Sequence, residues 1–296
     1  MNDLRTGTVH ANGLRFATLE AGDGPLVLCL HGFPDHARSF RHQLPALAAA
    51  GFRAVAPFMR GYAPTEIPSD GRYQSAILAQ DAVELISALG YEKADVFGHD
   101  WGALAAYGSA ILAPQRVRKL VTAALPHGPA VLNAFLSNYE QQRRSWYMFF
   151  FLHPFSDAAL AHEDFRFIER LWQDWSPGWA YPSEEMAALK ATFRSPNVAE
   201  AALGYYRCTL NPAHQDPQLA DLQMLISMSP ISVPSLVLHG GRDGCMSADL
   251  LDGMETLFPA GLRKFVLPDA GHFIHQEQPE RINRVVLEFL GPGSQA

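Results

Sequence analysis

The chain has 296 residues, 48% of them hydrophobic and 18% charged, a balance that excludes a disordered protein. Its formal charge of −7 excludes the basic footprint of a nucleic-acid binder. Three cysteines, Cys29, Cys208 and Cys245, are too few and too scattered for a disulfide framework or a cysteine-rich zinc site.

The first ten residues carry Asp3 and Arg5 and lack the apolar run of a signal peptide. The longest apolar stretches, near 26–30 and 148–152, fall far short of the roughly 20 residues that span a bilayer. The chain therefore reads as a soluble, cytoplasmic protein. Residues 8–20 predict a hairpin turning at Asn12-Gly13. The run LVLCL at 26–30, set between Gly24-Pro25 and His31-Gly32, predicts a buried strand. A helix is expected over 39–50, stopped by Gly51, then a strand at 53–56. Residues 74–89 place Ile77, Leu78, Ala82, Leu85 and Ile86 on one helical face and close at Gly90. A strand at 95–97, a helix at 101–112 and a strand at 117–124 follow.

The rhythm resumes late, with strands at 234–239 and 263–267 and helices at 248–258 and 275–290. Strands alternating with helices predict a mostly parallel central sheet flanked by helices. Between 128 and 228 no strand is expected. Helices at 131–152, 158–172, 183–192 and 197–208 are punctuated there by Pro154, Pro177, Pro182, Pro196 and Pro212. The stretch reads as a helical cap, 128–228, inserted between two strands of a core made of 1–127 and 229–296. It holds 17 of the 32 aromatic residues, which predicts rings that pack the cap and line an apolar pocket.

The strand at 95–97 runs into Gly98-His99-Asp100-Trp101-Gly102 and then a helix. Strand, glycine-flanked turn and helix make the form of a nucleophile elbow, which pushes one side chain out above a sheet. Here that side chain is Asp100, and no G-x-S-x-G occurs in the chain. A carboxylate can attack as a covalent nucleophile. It can equally cap the helix behind it. A triad then needs an acid and a base later in the chain. His272, in Gly271-His272-Phe273 after the strand at 263–267, stands where the base belongs. No acid follows the strand at 117–124, where the chain reads Leu125-Pro126-His127-Gly128. Asp243, in the turn after the strand at 234–239, is the best-placed acid, ahead of Asp249 and Asp252 in the next helix. His31 with His36, and His272 with His275, lack carboxylate or cysteine partners for a metal. Neither a G-x-x-x-x-G-K-[ST] nor a G-x-G-x-x-G motif is present.

The words His31-Gly32-Phe33-Pro34, Gly98-His99-Asp100-Trp101-Gly102 and Gly271-His272-Phe273 resemble those of the epoxide hydrolase family of α/β-hydrolases, over essentially the whole chain. Aspartate at the elbow narrows that superfamily to epoxide hydrolases, haloalkane dehalogenases and fluoroacetate-type dehalogenases. The resemblance implies an α/β-hydrolase fold. It implies conversion of an apolar epoxide and water to a vicinal diol through an aspartyl ester on Asp100. His272 would be the base, Asp243 its orienting acid, and the amides of Phe33 and Trp101 the oxyanion hole. Tyr147 and Tyr206 would hold the ring oxygen, with Tyr205 as the fallback for Tyr206. Phe33, Trp101, Tyr147 and Tyr206 would line the substrate site. No metal, organic cofactor, nucleic acid or membrane partner is implied, and a homodimer stays open.

The enzyme alternative is a haloalkane or haloacid dehalogenase on the same Asp-His-Asp set, its halide held by the Trp101 indole. Phe33, where many haloalkane dehalogenases have Asn, speaks against it. A catalytically silent binding protein is the lesser alternative. One departure is visible: the family often has Asp-x-Arg-Gly-x-Gly-x-Ser where this chain has Phe58-Met59-Arg60-Gly61-Tyr62-Ala63-Pro64-Thr65. The particular epoxide and the carbon attacked are not written in these motifs.

Overall fold

The computed structural model describes residues 4–291. Eight strands form one sheet in the order β1-β2-β4-β3-β5-β6-β7-β8. They are β1 (Arg5–Ala11), β2 (Leu14–Ala21), β3 (Leu26–Leu30), β4 (Arg53–Pro57), β5 (Ala94–His99), β6 (Val117–Ala123), β7 (Ser235–Gly240) and β8 (Leu262–Leu267). β1 and β2 pair antiparallel through the Asn12-Gly13 turn, where both residues have positive φ (45° and 76°), the twist that a two-residue hairpin favours. β3 to β8 run parallel. The central strands β3, β5 and β7 are buried throughout, as continuous apolar strands covered on both faces must be.

Alternation along the strands divides the core in two. Leu26, Leu28 and Leu30 face a cluster that includes the helices α2 (Ser75–Ala88) and α3 (Trp101–Leu112). Val27 and Cys29 face the opposite cluster. That second layer belongs to α1 (Gln43–Ala49), α11 (Ile274–Glu277) and α12 (Pro279–Leu290), which contribute Leu44, Ile274 and Ile282.

All the helices between β6 and β7 belong to the aromatic-rich stretch. They are α4 (Ala130–Ser137), α5 (Tyr139–Arg144), α6 (Trp146–Phe150), α7 (Phe155–Trp175), α8 (Ser183–Phe193), α9 (Val198–Leu210) and α10 (Ala220–Met228). The expected helix at 131–152 is three helices. Asn138 leaves helical geometry and caps α5 by accepting from the Gln141 amide at 3.1 Å. The expected helix at 158–172 lies within α7, which is interrupted at His162–Phe165. α10 was not foreseen. The expected helix at 248–258 is only two 3₁₀ turns, because Asp252 is extended and Gly253 takes φ 79° between them. The last helix divides at Gln278, which leaves helical geometry (φ −133°, ψ 56°) just before the proline that opens α12. Among the described residues, no helix is long and apolar enough to cross a membrane.

The loop after β4, where the sequence departs from its family pattern, is nonetheless firmly anchored. The Arg60 guanidinium and the Asp81 carboxylate form a bidentate pair at 2.7 Å, with both side chains buried. Asn12 of the hairpin turn also donates to Asp81 at 2.7 Å. Hairpin, loop and α2 thus meet at one carboxylate. Removing it leaves a buried guanidinium unpaired, so Asp81→Ala is expected to cost about 3–5 kcal/mol in urea unfolding. A loss below 1 kcal/mol would show the pair to be idle.

Candidate active site

β3 and β5 pair from Val27↔Asp95 to Leu30↔Gly98, so the loops that leave them emerge side by side. At the end of β5, Asp100 turns the chain into α3 with φ 52° and ψ −118°, a conformation an L residue rarely adopts. The capping alternative fails here, since the Asp100 side chain makes no hydrogen bond to the helix. Its Oδ1 instead accepts from the Phe33 amide at 2.8 Å, and its Oδ2 lies 3.6 Å from His272 Nε2. Gly32 permits that approach, because a Cβ there would strike the Asp100 carboxylate. No hydrogen bond from the Trp101 amide to the carboxylate accompanies that from Phe33 among the described residues.

His272 Nδ1 and Asp243 Oδ2 are 2.9 Å apart, both fully buried. Asp243 Oδ1 accepts from the amides of Cys245 (2.7 Å) and Met246 (2.9 Å), which fixes the carboxylate in its turn. The alternatives Asp249 and Asp252 take no part in these contacts. Burial works against charge on the His272 ring, but the Asp243 carboxylate prevails and holds the imidazole well above the usual histidine range. Burial likewise opposes ionisation of Asp243, yet His272 keeps it below the usual aspartate range. Both shifts favour the charged forms, imidazolium and carboxylate.

Neighbouring histidines do structural work. His31 donates from Nδ1 to the Gly32 carbonyl and accepts at Nε2 from the Met59 amide, both at 2.9 Å, so it holds the departing loop against the β3 turn. Burial pushes its pKa down to about 4. His99, pushed down to about 3 by burial, donates from Nε2 to the His272 carbonyl at 3.0 Å. The helical insertion joins in through Trp175, whose carbonyl accepts from the amides of both Gly244 and His272 at 3.0 Å.

A cavity of about 370 Å³ opens over Asp100. Tyr147 of α6 and Tyr206 of α9 are fully buried and line it with Asp100 and Trp101. Their rings lie 5.8 Å apart, and Tyr206 stands edge-on to Trp101 at 5.0 Å. The Tyr206 hydroxyl has no hydrogen-bond partner among the described residues. The Tyr147 hydroxyl lies 3.0 Å from Cys245 Sγ. Tyr205 points elsewhere and donates to the Arg60 carbonyl at 2.6 Å, so it is not the second phenol of the cavity.

Two expectations need correction. The Phe33 ring is not part of the cavity wall; it packs behind it against Phe151, Phe193 and Tyr206, and only its amide faces the site. The expectation that rings of the insertion line the pocket needs narrowing: Phe135, Tyr147 and Tyr206 do, its tryptophans do not, and the rest of the wall is largely aliphatic, with Leu104, Val131, Leu132, Ile226 and Met228. Trp172, Trp175 and Trp179 pack the insertion onto the core, while Trp146 packs within the insertion against Phe150 and Phe167. Trp172 donates to the Pro34 carbonyl at 2.8 Å, and Trp175 stands edge-on to His272 at 5.1 Å.

Two buried clusters have donor sets suited to a metal ion: Asp35 with His99 and His275, and Asp243 with Cys245 and His272. The fold brings the histidines a carboxylate and a thiol that sequence spacing did not supply. In the first, both Asp35 oxygens already accept hydrogen bonds, from the His36 amide at 2.8 Å and from Gln276 at 2.6 Å. The nearby Arg41 charge opposes a cation. In the second, the ligand atoms are those of the imidazolium–carboxylate pair. Cys245 is the site residue that motif reading missed, and its only signal was a position two residues after Asp243.

The model of the family described as alpha/beta hydrolase fold matches residues 25–279. Epoxide hydrolase 3 of Mus musculus is 31% identical, over 95% of this chain and 75% of the relative. The AB hydrolase superfamily protein YfhM of Bacillus subtilis (strain 168) is 30% identical, over 98% of this chain and 99% of the relative. The crystal structure of Bacillus megaterium epoxide hydrolase in complex with an inhibitor superimposes with a TM-score of 0.84 at 27% identity, covering 96% of this chain and 99% of that one.

The electrostatics of the triad are testable without any substrate. In a nitrogen-15 NMR titration, His272 should stay protonated above the normal histidine range, and Asp243→Asn should move its titration down. An unchanged titration in the variant would mean that Asp243 does not set the charge of the imidazole.

Proposed function

The chain belongs to the alpha/beta hydrolase fold family and, within it, to the epoxide hydrolases, and from that premise we propose that it opens an apolar epoxide to a vicinal diol through a covalent ester on Asp100. One observation carries the reading: a carboxylate free of any capping role shares a cavity with two buried phenols. The largely aliphatic wall supports an apolar substrate.

Tyr147 and Tyr206 hydrogen-bond the ring oxygen. Asp100 Oδ2 attacks a ring carbon as its C–O bond breaks, and the oxygen takes a phenolic proton. Oδ1 stays on the Phe33 amide, where the oxyanion of the second step gathers its charge. Alkylation cancels the charge of Asp100, one of the groups that hold His272 protonated. The imidazolium proton passes to the phenolate left by ring opening, and neutral His272 then takes a proton from water, whose oxygen attacks the ester carbon. The tetrahedral intermediate expels the diol and returns the carboxylate. Since that step needs neutral His272, it slows as pH falls through the imidazole's raised pKa. Asp243 orients the ring, and no step calls on a cofactor. In this reading 1–127 and 229–296 form the catalytic core and 128–228 the lid. Three free, buried cysteines suit a reducing cytoplasm.

Two experiments test the reading. His272→Gln should still alkylate and then stall, so intact-mass analysis after styrene oxide should show enzyme plus one substrate; normal turnover would remove His272 from the base role. Tyr206→Phe should slow ring opening about a hundredfold or more, while Tyr205→Phe, whose hydroxyl faces Arg60, stays near wild type. Halide release from haloalkanes without diol from any epoxide would give the site to dehalogenation instead.

A further inference from the structure

Resting on the epoxide-opening reading, the geometry points to Cys245 as a proton relay that carries the His272 proton to Tyr147 after ring opening, converting His272 from cation to base only once the ester has formed. Cys245 Sγ is 3.0 Å from the Tyr147 hydroxyl. It also lies within 4.8 Å of a ring nitrogen of His272 and of an Asp243 carboxylate oxygen. His272 Nε2 is fully buried and has no hydrogen-bond partner among the described residues. A thiol both donates and accepts, so one group can take a proton from the imidazolium and give another to a phenolate.

The protons balance through the cycle. Ring opening transfers a proton from Tyr147 to the substrate alkoxide and leaves a phenolate. Imidazolium to sulfur, and sulfur to phenolate, then restores Tyr147 and leaves His272 neutral. His272 next removes one proton from water, and hydroxide adds to the ester carbon. Collapse breaks the bond from the ester carbon to the alkyl oxygen, formerly Asp100 Oδ2, which leaves in the diol and takes the remaining proton of the added hydroxyl. Carboxylate, imidazolium and phenol all return to their starting forms, and no oxidant or external acid is consumed.

The other titratable groups around His272 offer no such exit. His99 is engaged with the His272 carbonyl, His239 faces the far side of the Asp243 carboxylate at 3.9 Å, and burial opposes a charge on both and on His275. Glu277 accepts from Ser176 and the Gly271 amide. Asp243 is the imidazole's ion-pair partner, and Asp100 is esterified at that moment. Burial raises the Cys245 thiol, so it stays protonated, and it raises the Tyr147 phenol well above its usual range, so the phenolate draws a proton strongly. Tyr206 stands across the cavity from no such partner, so the two phenols are unequal: Tyr206 only holds the oxygen, and Tyr147 supplies the proton.

The test separates the two half-reactions in single turnovers of styrene oxide, following alkyl-enzyme by intact mass and tyrosinate by ultraviolet absorbance. Cys245→Ala should form the ester within about threefold of the wild-type rate, which also reports an intact fold. Ester decay at neutral pH should fall about tenfold or more, with a lasting tyrosinate signal. Raising the pH should restore decay in this variant, and Cys245→Ser should recover part of it at neutral pH. Wild-type decay in Cys245→Ala, or equal slowing in Ala and Ser variants without tyrosinate, overturns the relay. Absence of any ester in the wild-type protein overturns the epoxide reading itself, a result distinct from a failure of Cys245 alone.

Discussion

The left-handed backbone at Asp100 is the constraint on which the site depends. Such a conformation costs of order 1–3 kcal/mol and persists only where the surroundings leave the chain no alternative. Here Gly102 passes so close to the Leu30 carbonyl that a Cβ would not fit, Gly32 clears the space beside the carboxylate, and the Phe33 amide holds one oxygen. Parallel pairing of β3 with β5, and of β7 with β8, then delivers the remaining groups to the same edge of the sheet.

Charge follows the same economy of position. Two carboxylates face one buried imidazole: Asp243 pairs with Nδ1 and favours its charged form, while Asp100 approaches Nε2. In the proposed reaction the arrangement changes character when Asp100 is esterified. The chemistry at the proposed nucleophile would then set the timing of the base, with the buried thiol beside Tyr147 as the proposed route for the displaced proton.

Most of the sheet was legible because its strands are short apolar runs cut off by glycine and proline, and the grouping of Asp100, Asp243 and His272 was legible because each sits in such a turn. Asp100, Asp243 and His272 could be ordered from chain position alone. Boundaries in the insertion were not legible. Helix periodicity continues through Asn138 and Ser145, and only the side-chain cap on Gln141 reveals the break. The choice between Tyr205 and Tyr206 could not be read either, since adjacent helical residues differ by about a third of a turn and only packing decides which one faces the cavity. Cys245 was invisible because its importance lies in a contact 98 residues away in sequence, with Tyr147. The aromatic surplus was only partly a guide to the cavity: Phe135, Tyr147 and Tyr206 of the insertion line it, while most of its other rings pack elsewhere and the rest of the wall is largely aliphatic.

The carbonyl of Trp175 accepts from both the acid-bearing and the base-bearing loops, and Trp172 grips the loop of Pro34 nearby. The C-terminal end of α7 is therefore a splint across the catalytic machinery, and lifting it would pull the acid and the base apart. The opposite flank, between α4 and α10, is where Leu132 and Met228 line the cavity and are also exposed at the surface. For the proposed reaction this places an oily rim at the unclamped side, so that an apolar epoxide would be sorted by its hydrophobicity before its reactivity is tested.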